Sequence, residues 1–185
     1  MASLTNEVLL ARHLVRMAPE PAAQAHMLNR ALDVFHEYFF GLGMVTELQV
    51  EVHRMAEAGE SLTYETITAT NTQIWRKWHG DAVEVTPDGC GASWCEGSRH
   101  LQNFYGYQYL TGLAAGVAFA DAIESEGQSA VARYLRFLAV GSAQRPAEAL
   151  AESGVDLRAT GPWRRALAQY AAWQDGLEKT FAIRP

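Results

Sequence analysis

Residues 22–58, AAQAHMLNRALDVFHEYFFGLGMVTELQVEVHRMAEA, form the longest periodic stretch of the chain. Met27, Leu28, Ala31, Leu32, Val34, Phe35 and Tyr38 recur at helical spacing, and Val45, Leu48, Val52 and Met55 continue the pattern. Gly41 and Gly43 are expected to bend this helix and Gly59 to stop it. Upstream, residues 3–17 place Leu4, Val8, Leu10, Leu14 and Val15 broadly at helical spacing, with Ser3 or Thr5 as the expected cap, before Pro19 and Pro21 interrupt.

Downstream, a helix is expected from near Thr63, as cap, to His79-Gly80. Residues 81–97, rich in Gly and Asp, read as an irregular segment, and loops of that length are often functional. Further helices are expected over Arg99–Glu124 and Gln128–Val140, from Pro146 to a stop at Gly154, and from Pro162 to about Phe181. Alternation of period two is nearly absent. The fold class is therefore all-α, a single compact helical domain over 1–185 without repeats.

The 185 residues carry a formal charge of −6, with basic residues scattered singly. That disfavours nucleic acid, which wants a clustered basic face. No apolar run reaches the roughly 18 residues of a membrane span, and the start lacks the pattern of a signal peptide, so a cytoplasmic protein with no membrane contact is expected. In that setting Cys90 and Cys95 are expected to be thiols rather than a disulfide, and two Cys without a second pair make a poor zinc site.

The densest polar-aromatic cluster, Ser98-Arg99-His100-Leu101-Gln102-Asn103-Phe104-Tyr105-Gly106-Tyr107-Gln108-Tyr109, lies where the irregular segment meets a helix. Its Tyr, His and Arg side chains suit oxyanion stabilisation or proton exchange. Tyr105 and Tyr109 are four apart and share a face, whereas Tyr107 points elsewhere, and such aromatics also serve simply as packing. Cys95, beside Glu96 and near His100, is a weaker candidate nucleophile. His36-Glu37-Tyr38-Phe39-Phe40 begins like H-E-x-x-H but places Phe40 where a second histidine is needed. No E-x-x-H and no Gly-rich phosphate loop occurs.

Asn103-Phe104-Tyr105-Gly106-Tyr107-Gln108-Tyr109-Leu110-Thr111-Gly112 closely resembles the N-F-Y-x-Y-Q-Y-x-T-G segment of the oligoendopeptidase F family, relatives of thimet oligopeptidase. Ala2-Ser3-Leu4-Thr5-Asn6-Glu7 is similar to the family's E-x-A-S-x-x-N-E, Glu47 to Thr63 resembles its long helix and following cap, and Gly127 through Asp156 resembles its C-terminal region. The resemblance implies the C-terminal helical half of such a peptidase. It also implies that Tyr105, Tyr107 and Tyr109 line a substrate cleft and help stabilise a tetrahedral intermediate.

The family has a histidine shortly upstream; here Arg99 aligns with it and His100 follows, a shift of about 100° around a helix. Gly41-Leu42-Gly43 replaces a bulkier polar stretch, an exchange expected to open or reshape space nearby. The family's zinc ligands sit on H-E-x-x-H and on a glutamate before the A-S dipeptide, none of which this sequence supplies. The chain by itself is thus not expected to be a zinc metallopeptidase, and no metal or other cofactor is expected.

The reading that follows is a degenerate, zinc-free cleft. It binds, and in one version transforms by Tyr, His and Arg chemistry, a peptide or peptide-like small molecule. The alternatives are a non-catalytic pseudopeptidase and the C-terminal subunit of a split zinc oligopeptidase. Exposed cleft surface further implies a covering partner, a second copy in a homodimer or a separate chain.

Overall fold

The computed structural model describes residues 1–95 and 103–182. Among these the fold is all-α: α1 Ala2–Met17, α2 Pro21–Phe35, α3 Leu42–Glu57, α4 Tyr64–His79, α5 Tyr107–Glu126, α6 Gln128–Ala139, α7 Pro146–Glu152 and α8 Thr160–Ala182. A π-helical turn, His36–Gly41, separates α2 from α3, and short 3-10 turns occur at Gly80–Ala82 and Cys90–Cys95. Within the expected irregular segment, the described part thus holds two tight turns. No described helix is long and apolar enough to cross a membrane. The chain divides into two compact units, Met1–His36 with Thr111–Pro185, and Glu37–Leu110, a finer division than the single domain read from sequence.

The first unit is organised around α5. Residues 112–120 of this helix are all buried, which needs neighbours on every side. Small residues allow that approach: a Cβ on Gly116 would stand 3.1 Å from the Thr5 nitrogen, and one on Gly112 3.0 Å from Leu4 Cδ1. Phe119 packs on Tyr134 of α6, with Ala115, Leu150 and Val155 in the same cluster, and the Tyr134 hydroxyl donates to the Ala2 carbonyl at 3.2 Å. Arg12, whose side chain is only 10% exposed, donates to Asp121 and Glu124 of α5 and to Gln169 of α8 at 2.7–2.8 Å. Charge-assisted bonds of this kind are the strong ones, and here one guanidinium joins three helices. Phe35 of α2 meets Tyr170 and Trp173 of α8 at 5.1 and 6.3 Å.

In the second unit α4 begins as its sequence foretells. Thr63 accepts from the Thr66 amide while Thr66 Oγ1 accepts from the Thr63 amide, a reciprocal capping box. The 3-10 turn at Cys90–Cys95 is tied to α4: Asn71 Nδ2 donates to the carbonyls of Cys90 and Gly91, and Trp94 Nε1 donates to Thr68 Oγ1 at 3.0 Å. Gly91 is required by close approach, since a Cβ there would strike Thr72 Oγ1 and come within 3.3 Å of Thr68 Cγ2. Met44, Leu48 and Ile74 form the core between α3 and α4.

Three sequence expectations are corrected. The stretch 22–58 stays helical without a break from Pro21 to Glu57 but is not one α-helix, because the π-turn at 36–41 shifts its phase. Helix α1 starts at Ala2 without a side-chain cap; Thr5 lies inside it, fully buried, and its hydroxyl donates back to the Met1 carbonyl at 3.4 Å. Helix α5 begins at Tyr107 rather than Arg99, because Phe104 adopts φ +50°, a left-handed conformation through which a right-handed helix cannot run.

Two stability outcomes follow. Gly91→Ala lowers the free energy of unfolding by about 1–3 kcal/mol, the usual cost of overpacking, when measured by urea denaturation; an unchanged midpoint contradicts the close approach at Thr72. The Glu124 carboxyl is held below the usual glutamate value of 4.5: burial alone would raise it, but hydrogen bonds and charge from Arg16 and Arg12 prevail. A depressed folded-state pKa gives stability that is present above the unfolded value and lost as pH falls through the folded one. Glu124→Gln therefore flattens the loss of urea stability below the usual glutamate value, and an acid limb identical to wild type refutes this account.

Candidate functional site

The tyrosine segment rests on a platform built by the π-turn and α3. Residues 103–106 form a turn rather than helix, and α5 is wound from it by the Gln108 amide donating to the Tyr105 carbonyl and the Tyr109 amide to the Gly106 carbonyl, at 3.2 and 3.1 Å. Gly106 is buried, and a Cβ there would meet Leu42 and Thr46 of α3 at ordinary contact distances.

Phe104 beside it is a bulky residue with positive φ, an outlier costing on the order of 1–3 kcal/mol that persists only where surroundings over-determine it. Its ring lies 4.7 Å from the ring of His53, whose Nδ1 bonds to the Gln49 carbonyl at 2.7 Å. A carbonyl only accepts, so Nδ1 is the donor in this bond, and the imidazole is tied to α3.

Out of this turn come the three tyrosines. Tyr105 and Tyr107 are 46% and 44% exposed, and Tyr109 is half-buried. The Tyr105 ring meets Tyr109 edge-on at 5.8 Å, and Tyr109 lies 5.1 Å from Tyr38 of the π-turn. Tyr105 and Tyr109 thus meet, although Tyr105 lies in the turn before α5 and not on one helical face with Tyr109. Arg99 and His100 lie outside the described residues, as does Glu96.

Tyr38 is the member sequence reasoning missed. It was read as a core residue of a long helix, yet the π-turn brings it beside Tyr109. The sequence carries no composition that marks a π-turn, so no signal for this contact was available.

The exchange at Gly41-Leu42-Gly43 leaves no open space at Gly43. The Trp78 indole covers Gly43 so closely that a Cβ there would lie 2.9 Å from Trp78 Cη2, and Phe40 packs edge-on against the same indole at 6.3 Å. Trp78 Nε1 and Lys77 Nζ both donate to the Glu47 carboxylate at 2.7 Å; burial pushes that carboxyl up, but these two donors hold it below the usual glutamate range.

Chemically, the segment offers phenol hydroxyls as hydrogen-bond donors on an apolar aromatic floor, suited to peptide carbonyls and to apolar side chains. It offers no metal set. His36 and Glu37 lead the π-turn with Phe40 among aromatic rings, and no group of three His, Cys, Asp or Glu among the described residues is placed to hold an ion. A catalytic zinc therefore does not fit the residues described, and no step can be derived through one. Cys95 is exposed at the end of its 3-10 turn, and Cys90 is half-buried with its carbonyl engaged by Asn71 and Ser93.

The sequence profile of Peptidase family M3 matches residues 1–169. Oligopeptidase PepF of Bacillus subtilis is 32% identical over 179 residues, which is 97% of this chain and 27% of that protein. The plasmid oligoendopeptidase F of Lactococcus lactis subsp. cremoris is 31% identical over 160 residues, 86% of this chain and 26% of its own length. The crystal structure of oligoendopeptidase-F from Enterococcus faecium superposes with a TM-score of 0.91 at 28% identity, over 99% of this chain and 35% of that one. The chain thus spans about a quarter to a third of the relatives it matches.

Proposed function

We propose, from the premise that the chain belongs to peptidase family M3, that it supplies the peptide-holding wall of an oligopeptidase-type cleft. Tyr105 and Tyr107 donate hydrogen bonds to peptide carbonyls. Tyr109, backed by Tyr38, gives the apolar floor against which a peptide side chain packs.

The observation that carries this reading is the strained turn at Phe104. A left-handed phenylalanine is kept in place by His53 and α3 directly before two half-exposed tyrosines. Structures hold such strain where a side chain must be aimed. The names of the relatives, oligopeptidase and oligoendopeptidase, support peptides as the class of ligand.

In an acyl-transfer setting the same donors suit the oxyanion of a tetrahedral intermediate. That role needs an activated nucleophile, and the described residues place none beside the tyrosines. Holding peptide is therefore the function proposed for these 185 residues. The small share of each relative that the chain spans favours a second reading, in which the wall works together with metal-bearing sequence outside them. Peptide binding without turnover by the chain alone, and turnover once that portion is added, separates the two.

Titration calorimetry with short oligopeptides tests the wall itself. Tyr105→Phe and Tyr107→Phe each weaken binding about fivefold, the loss of one net hydrogen bond of about 1 kcal/mol, with circular dichroism unchanged. Tyr64→Phe, an equally exposed tyrosine at the start of α4, leaves binding as in wild type. Equal affinity in all three variants removes the proposed role of the hydroxyls.

A further inference from the structure

Three tyrosine rings converge at the peptide wall, all from the second compact unit of the chain. Tyr109 is the middle one. Tyr38 lies 5.1 Å from it at a tilt of 31°, and Tyr105 lies 5.8 Å from it at 73°, close to edge-on. Tyr38 and Tyr109 are half-buried and Tyr105 is exposed, so all three keep surface that a ligand can reach. The residues after Tyr38 fasten its turn: Phe39 is buried, Phe40 meets it at 5.3 Å, and Trp78 of α4 meets Phe40 at 6.3 Å. Tyr38 is thus presented by a fixed backbone, and a surface ordered in advance loses little freedom when a ligand lands on it.

We propose that this cluster selects peptides carrying an aromatic side chain, and that Tyr38 is the residue that sets the preference. The inference rests on the peptide-holding role of the tyrosine wall and deepens it. In that role Tyr38 only backs Tyr109, whereas here its own ring touches the peptide.

The geometry favours a ring as the guest. An aromatic ring is negative over its face and positive around its edge, and pairs attract when offset or edge-on at centroid spacings of about 4.5–7 Å. Both spacings in the cluster fall in that range, one at a low tilt and one nearly upright. A guest ring seated against it repeats contacts the cluster already makes. A cationic side chain is drawn to faces alone and is repelled by edges. An aliphatic side chain gains burial but not the attraction between rings.

Short labelled alanine-based oligopeptides are the probes, with phenylalanine, cyclohexylalanine or arginine placed at each position in turn. Their binding to the full chain is read by fluorescence anisotropy. Phenylalanine and cyclohexylalanine share a carbon skeleton, but only the first is aromatic and the second is the more apolar, so burial alone favours cyclohexylalanine. At the position that meets the cluster, phenylalanine is expected to bind about three- to tenfold tighter than cyclohexylalanine, and tighter than arginine. Tyr38→Leu lowers that ratio about threefold, the worth of one ring pair. Tyr38→Phe keeps it, because the ring and not the hydroxyl carries the preference. The ratio is read within one protein, so a general loss of affinity or stability cancels. The wild-type and Tyr38→Phe ratios test the proposal even where the leucine variant folds poorly.

Three results overturn it: cyclohexylalanine binds as tightly as phenylalanine at every position, arginine outbinds phenylalanine at the position that meets the cluster, or the Tyr38→Leu ratio equals that of wild type. Each of these leaves the hydroxyl effects of Tyr105→Phe and Tyr107→Phe in place, so the wall stands without its preference. Failure of every peptide to bind overturns the wall and the preference together.

Discussion

The site depends on one backbone constraint, the left-handed turn at Phe104. A right-handed helix cannot pass through it, so α5 has to start after it, and the residues that leave the turn are Tyr105, Gly106 and Tyr107. The conformation is unfavourable by itself and is held by what lies around it. His53 is fixed to its own helix by the Gln49 carbonyl and faces the Phe104 ring, while Gly106 is buried beside Leu42 and Thr46. Tyr38 limits the other end by meeting Tyr109. Helix α3 and the π-turn before it therefore act as the support, and the tyrosines as what is supported.

The first unit follows a different logic. Its central helix is lined by Gly112, Ala114, Ala115, Gly116, Ala118 and Ala120, side chains too small to fill space themselves. Burying such a helix works only if neighbours approach its backbone, as α1 does at Thr5, and if larger groups such as Phe119 and Tyr134 occupy the outer shell. Arg12 adds direction to this packing, since one planar guanidinium satisfies acceptors on two other helices at once. What the described residues leave uncovered is the outer face of α1, where Leu10 and Leu14 are exposed.

Much of the helix pattern was legible because its punctuation is chemical. Thr63 caps α4, Pro146 opens α7, and Gly59, Gly127 and Gly154 take the positive φ that ends or separates helices. The segment Asn103–Gly112 likewise pointed to the peptidase family whose profile the chain matches. What was not legible has physical reasons. A π-turn inserts one residue without any composition of its own, so the periodicity of 22–58 concealed it. The turn at Phe104 uses a residue that carries none of the signals of glycine or asparagine, so the start of α5 read several residues too early. Leu10 and Leu14 fit a core stripe by spacing, yet both are exposed among the described residues, a difference that spacing alone does not reveal. Tyr38 joins Tyr109 only through the phase shift of the π-turn, a contact that no count along the sequence contains.

The central claim is that the Phe104 turn aims Tyr105 and Tyr107 at a peptide. Solution NMR of the chain with isotope-labelled tyrosine, titrated with a short oligopeptide, tests it most directly. The account predicts saturable shifts in the ring resonances of Tyr105 and Tyr107, a smaller change at Tyr109, and none at Tyr134, which is buried between α5 and α6. Peptide binding that leaves Tyr105 and Tyr107 unmoved would contradict it.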